Sequence, residues 1–185
     1  MLALCLALGL LCPAAWADEV QDIERLLRSG QAEQALTQVD AAIAQQPRAA
    51  ALRFLKGVVL SDLNRPGQAI EVFVLLTQDF PELPDPYNNL AVLYAAEGRL
   101  DLALTALQQA LRNDPQHLAA RENLGDVHLA LAVQAWDAAR AQGAAITPST
   151  RTPGNVDNAA LLRKLRLARQ ILAVPATATA QRAPG

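Results

Sequence analysis

The sequence predicts an all-α protein built as a solenoid of stacked helix pairs, and three observations carry that prediction. Ala35, Ala69 and Ala103 stand 34 residues apart, and so do Pro47, Pro81 and Pro115. A fixed period of this length suits one helix-turn-helix unit, which cannot bury its apolar face alone and must stack on neighbours. The composition agrees: the interior is rich in Ala and Leu and poor in Gly, and aromatics make up only 4% of the chain, so packing rests on Leu, Val and Ala. At 185 residues there is enough chain for one domain of ordinary core size.

The elements follow in chain order. Residues 2–12 are an apolar run too short for a comfortable membrane span, and Ala15, Trp16 and Ala17 before Asp18 form a small-x-small cleavage site. Residues 1–17 therefore read as a signal peptide. The basic segment expected ahead of the apolar run is missing, which leaves an uncleaved anchor as the alternative. Cys12 follows Leu11, too large a residue for lipoprotein processing.

The repeat domain spans 18–141, in units near 16–49, 50–83, 84–117 and 118–141. At the eighth position, where paired helices come closest, stand Gly57, Ala91 and Gly125; Ile23 takes this place in the first unit and predicts a looser pair. Ala35, Ala69 and Ala103 face the same contact from the second helices. Leu26, Leu60 and Tyr94 at the eleventh position and Val39, Phe73 and Leu107 at the twenty-fourth fill the seam around it. Gly30 and Gly98 are C-cap residues able to take a left-handed backbone, Asn64 with Pro66 stops and restarts the chain in the second unit, and Asp85 with Pro86 opens the third. The fourth unit departs: no Gly-rich turn interrupts Leu129 to Arg140, and Asp137 stands where the small alanine belongs. It is read as either one long helix or a unit with an irregular turn, capping the stack.

Residues 142–156, rich in Gly, Ala, Thr, Ser and Pro, read as a linker. From 157 to 174, Leu161, Leu165, Ala168 and Leu172 keep helical spacing behind Asp157 as N-cap, and Arg163, Lys164, Arg166 and Arg169 lie on the other face. The expected arrangement is a basic capping helix whose apolar side folds back on the fourth unit with its cations in water. Docking on anionic lipid headgroups, or on the protein's own acidic groove as a lid, is the alternative. Residues 175–185 are expected to be a disordered tail.

The run from Tyr87 to Tyr94, followed by Glu97, Gly98 and Arg99, closely resembles the tetratricopeptide repeat (TPR) consensus, and Asp114 with Pro115 resembles its end. The resemblance covers residues 19 to about 141, with three close units and a degenerate fourth. It implies a concave wall built from the first helix of each unit, on which Glu24, Phe54, Val58, Asp62, Asn88, Asn89, Val92, Glu122, Asn123 and Asp126 stand. Asn89 and Asn123 share the sixth position of successive units, and a side-chain amide, both donor and acceptor, pairs with a peptide backbone of any sequence. Phe54, Val58 and Val92 form an apolar strip suited to an anchor. Carboxylates outnumber cations on the wall, so the two-carboxylate clamp of chaperone-binding TPR domains, which needs paired Lys/Arg, is not recognisable; a neutral or basic segment fits better.

Charge and chemistry bound the function further. The net charge of −2 hides an asymmetry: residues 18–141 carry ten Lys/Arg against seventeen Asp/Glu, and residues 142–185 six against one. No basic field runs along the repeats, so nucleic acid is not an expected partner. Both cysteines, Cys5 and Cys12, fall in the leader, and no phosphate loop, dinucleotide glycine pattern or nucleophile elbow appears. His128, at the eleventh position, is expected as a half-buried seam residue, since no second ligand stands one turn away; His117 lies in an inter-repeat loop. The expectation is a non-enzymatic scaffold without metal or cofactor, which holds a protein or extended peptide in its groove. It resembles short periplasmic TPR proteins of Gram-negative bacteria. The alternative is an inner-membrane-anchored assembly factor, held by an uncleaved N-terminal helix and the basic tail helix.

Overall fold

The computed structural model describes residues 14–145, 163–164 and 166–170. Among them the helices run α1 (Ala14–Arg28), α2 (Ala32–Gln45), α3 (Ala50–Asp62), α4 (Pro66–Asp79), α5 (Pro84–Ala96), α6 (Leu100–Asn113) and α7 (Leu118–Ala145), with residues 163–164 and 166–170 helical beyond them. The expected leader up to residue 13, the linker from 146, residues 157–162, 165 and 171–174 of the expected basic helix and the tail from 175 lie outside the described residues; α1 begins within the leader, and α7 runs on to Ala145, into the linker expected from 142.

Three identical turns explain why the first six helices come in pairs. Gly30 and Gly98 have φ of +73°, and Asn64 has φ of +55°. At each the chain closes a Schellman cap: Gln31 N–H donates to the Leu26 carbonyl and Gly30 N–H to Leu27, Arg65 to Leu60 and Asn64 to Ser61, Arg99 to Tyr94 and Gly98 to Ala95. Gly and Asn enter the left-handed region at little cost. One period later stands Ala132, whose Cβ makes that conformation cost about 1–2 kcal/mol, and α7 runs straight through it. The fourth unit is thus one long helix. Asp85 lies within the first turn of α5, which begins at Pro84, so it is not the N-cap expected from the sequence.

Contacts divide the chain into a unit ending at Pro86 and one beginning at Tyr87. In the first, Ile23, Ala35, Val39, Ala42, Leu52, Leu55 and Val59 form a continuous core, to which Leu60, Ala69, Phe73 and Leu76 add buried surface. Gly57 is where the helices of the second pair come closest: a Cβ built there would stand 2.5 Å from the Phe73 ring. Ile23 is fully buried, so the first pair is filled rather than loose. The ion pairs Lys56–Asp40 (2.7 Å), Arg65–Glu33 (2.6 Å) and Arg53–Asp79 (2.6 Å) join neighbouring helices at the surface. In the second unit, Leu90, Ala91, Ala103, Ala106, Leu107 and Ala110 are buried, and α7 presents buried Ala120 and Val127 as it packs on α6. The start of α7 is capped by His117, whose Nδ1 accepts the Ala120 N–H at 3.1 Å.

Candidate peptide-binding surfaces

In the first unit the surface residues expected to bind are held in unequal states. Phe54 is half-buried, its ring tilted at 55° to Phe73 with centroids 5.6 Å apart, so it packs the α3–α4 seam as much as it offers an anchor. Val58 is half-buried beside it on α3, and Asp62 is exposed at the helix end. Glu24 on α1 is paired with Arg28, Nη1 to Oε2 at 3.4 Å, which offsets part of its charge.

The second unit holds the better-formed site. A cavity of about 280 Å³ is lined by Ala91, Val92 and Ala95 of α5, Leu100 and Leu107 of α6, and Asn123, Asp126, Val127 and Ala130 of α7. Its walls are largely apolar, being mostly Ala, Val and Leu, and the small side chains of α5 and α7 leave the room that forms it. Val92 is 48% exposed at its edge, an apolar side chain left to solvent. Asn123 and the exposed Asp126 supply the polar part of the rim, and Glu122 is exposed on the same helix. Drug-sized or cofactor sites run from about 300 Å³ upward, so this volume suits one apolar side chain of a longer ligand.

The two asparagines expected to pair with a ligand are not equivalent. Asn123 donates from Nδ2 to Oδ1 of Asn88 at 2.8 Å, and Asn88 is only 9% exposed. Asn88, noted in the sequence merely as a wall residue, is the buried half of an amide pair linking α5 to α7. Asn89 is half-buried and has a bonding partner of its own. The pairing escapes sequence reasoning because the two residues hold different positions in their units, fifth and sixth. The amide that rims the cavity is therefore Asn123, held in place by its neighbour.

His128 is exposed, against the expectation of a half-buried seam residue. In the other units Leu60 is buried and Leu26 and Tyr94 half-buried at this position; here, among the described residues, no second helix covers it. Gly125, expected at a close contact, has nothing within 4 Å of where a Cβ would stand, for the same reason. Among the described residues no cluster of His, Cys, Asp and Glu is arranged to hold a metal, and no helix is long and apolar enough to cross a membrane.

The basic residues near the C-terminus do not all face water. Arg169 Nη2 binds both carboxylate oxygens of Asp137, at 2.7 and 2.9 Å, and the Lys164 ammonium stands 5.8 Å from the centre of the Trp136 ring. Ala168 is buried. Arg163, also exposed, has a partner, and Arg166 is exposed. This stretch folds back on the distal part of α7, as a cap does, but two of its cations turn toward that helix, and Asp137 lies outside the expected groove residues.

Antiparallel helix pairs joined by identical turns at a constant period define an α-helical repeat protein. Two models of the tetratricopeptide repeat match, over residues 23–84 and 84–117, and together they span just over half of the chain, which belongs to that family. Among solved structures, the first TPR domain of human RPAP3 is 16% identical, with 62% of this chain and 90% of that one covered and a TM-score of 0.59. The first TPR of Spaghetti (RPAP3) bound to the HSP90 peptide SRMEEVD is also 16% identical, with coverage of 63% and 92% and a TM-score of 0.58. YrrB, a TPR protein with an unusual peptide-binding site, is 24% identical, with coverage of 56% and 54% and a TM-score of 0.53. At these identities the likeness is one of fold. A comparison with curated proteins gave no match.

Proposed function

We propose that this protein is a non-enzymatic scaffold that holds an extended peptide segment, apolar and neutral to basic, against the first helices of its repeats. The cavity between α5, α6 and α7 carries the proposal: an unfilled apolar recess of side-chain size, with an exposed Val92 at one edge and Asn123 and Asp126 at its rim. An apolar side chain of the ligand enters the recess, its backbone meets the Asn123 amide, and a cation beside it meets Asp126 and Glu122. Structural neighbours bound to chaperone peptides support a peptide ligand in general. Their acidic SRMEEVD-type end is the wrong charge for this rim, since like charges brought together oppose binding.

The apolar run at 2–12 and the small-x-small site ending at Ala17 support export, with the periplasm as the place of action. Two of the four tail cations being engaged with α7 favours a cap over contact with anionic lipid.

The test is an array of immobilised peptides that vary one apolar position and the charge beside it. Wild-type protein is expected to retain Leu–Lys and Leu–Arg pairs over Leu–Glu pairs, and Asp126→Lys is expected to invert that order. Equal retention of both charge classes, or an order untouched by Asp126→Lys and Val92→Arg alike, refutes the assignment of this surface.

A further inference from the structure

The fourth unit has a first helix, and among the described residues no second helix covers its part around Gly125. In the second repeat the eighth-position face is sealed, with Gly57 under the Phe73 ring and Leu60 buried. The corresponding face of α7 is open: Gly125 has empty space above it, Arg121 and His128 are exposed, and Leu118 is 68% exposed. The opposite face, with Ala120 and Val127, is the one buried toward α6. A helix surface shaped to receive another helix thus stands uncovered, with a glycine at its centre that permits close approach of the axes.

The side chains around Gly125 say which helix fits. Glu122 and His128 lie three residues to either side of it, and at 3.6 residues per turn they project about 60° to opposite flanks. A two-fold axis through Gly125, perpendicular to α7, lays a second α7 antiparallel on the first. That operation puts Glu122 opposite His128 of the partner subunit, and the same pair forms again on the other flank. Leu118 then meets Ala132 of the partner subunit, and Arg121 lies along Leu129 of the partner subunit. We propose that α7 pairs with the α7 of a second copy of this chain, antiparallel and crossing at Gly125, so that each copy supplies the missing second helix of the other's fourth unit. The contact is isologous, as a two-fold dimer requires. A single helix pair falls below the roughly 800 Å² per partner of a standard interface, so the dimer is weak and exchanges with monomer. The inference does not depend on the peptide-binding proposal, with which it shares Glu122 alone, and Gly125→Leu and His128→Glu separate the two.

Sedimentation velocity of the full chain over a wide concentration series tests it. The wild type is expected to pass from monomer to dimer as concentration rises. Gly125→Leu is expected to raise Kd at least about tenfold without lowering helical content or the melt, since among the described residues nothing occupies the space above Gly125 and Leu is the better helix former. His128→Glu, which faces a carboxylate with a carboxylate, is expected to weaken the dimer, and the exchanged pair Glu122→His with His128→Glu to recover it. The proposal is overturned by a wild type that stays monomeric at millimolar concentration, or by a dimer indifferent to Gly125→Leu. It is equally overturned if dimer forms only after residues 157–185 are deleted, which would make the chain's own tail the occupant.

Discussion

Replacing Gly57 and Gly125 by alanine makes one change at the same repeat position with opposite expected signs. In a helix interior Ala has an intrinsic advantage over Gly of about 1 kcal/mol, to which the packing of the site adds its own term. At Gly125 that is the whole effect, because nothing lies within 4 Å of the new methyl, and a stabilisation of about 0.5–1 kcal/mol is expected. At Gly57 the methyl would stand 2.5 Å from Cζ, 2.6 Å from Cε1 and 3.0 Å from Cδ1 of Phe73. That ring is fully buried, with the Phe54 ring centroid 5.6 Å away, so it has little room to retreat. Overpacking of this kind costs about 1–3 kcal/mol, which outweighs the propensity gain and leaves Gly57→Ala less stable by up to about 2 kcal/mol. Urea unfolding followed by far-ultraviolet circular dichroism, at concentrations low enough to keep the chain monomeric, reads both signs. A Phe73→Leu background should relieve the clash and make Gly57→Ala milder, since contacting residues are non-additive. If Gly57→Ala stabilises as Gly125→Ala does, or if its cost is unchanged in the Phe73→Leu background, the close contact of the second helix pair is misplaced.

Other expected outcomes follow from single contacts. His117→Ala removes the acceptor that caps α7 and should cost about 0.5–2 kcal/mol, whereas His117→Asn, which restores a capping oxygen, should cost less in the same melt. Asn88→Ala strands the amide of Asn123 and should cost about 1–3 kcal/mol, with a double-mutant cycle against Asn123→Ala giving a coupling of about 0.5–1.5 kcal/mol; zero coupling would refute the pair. Asp137→Ala should shift the melt by under about 1 kcal/mol, because Arg169 and Asp137 are both substantially solvated, yet hasten proteolytic release of the tail. Export predicts that protein purified from the envelope begins at Asp18 by intact mass, and a retained Met1 would favour the anchor.

The paired helices were legible because their determinants are local. Gly30, Asn64 and Gly98 each need only their own turn to take a positive φ, and the small residue at Gly57 marks a close helix contact. Even the departure of the fourth unit was written in the chain, at Ala132, where the period asks for a residue that tolerates the left-handed region. The expectations for His128 and Gly125 failed on a different point. Each extrapolated the packing of the earlier units, and that packing exists only where a second helix returns.

Sequence by itself determined the repeat length, the turn positions and the apolar seams, because backbone dihedral preference and helical period act within a few residues of one another. Tertiary structure alone decided that Phe54 leans on Phe73, that Asn123 is held by Asn88, that Arg169 and Lys164 turn toward α7, and that small side chains on α5 and α7 leave a recess beside Val92. Those outcomes depend on which faces meet and how much volume the meeting residues leave unfilled, and both are properties of the packed helices that no single stretch of chain contains.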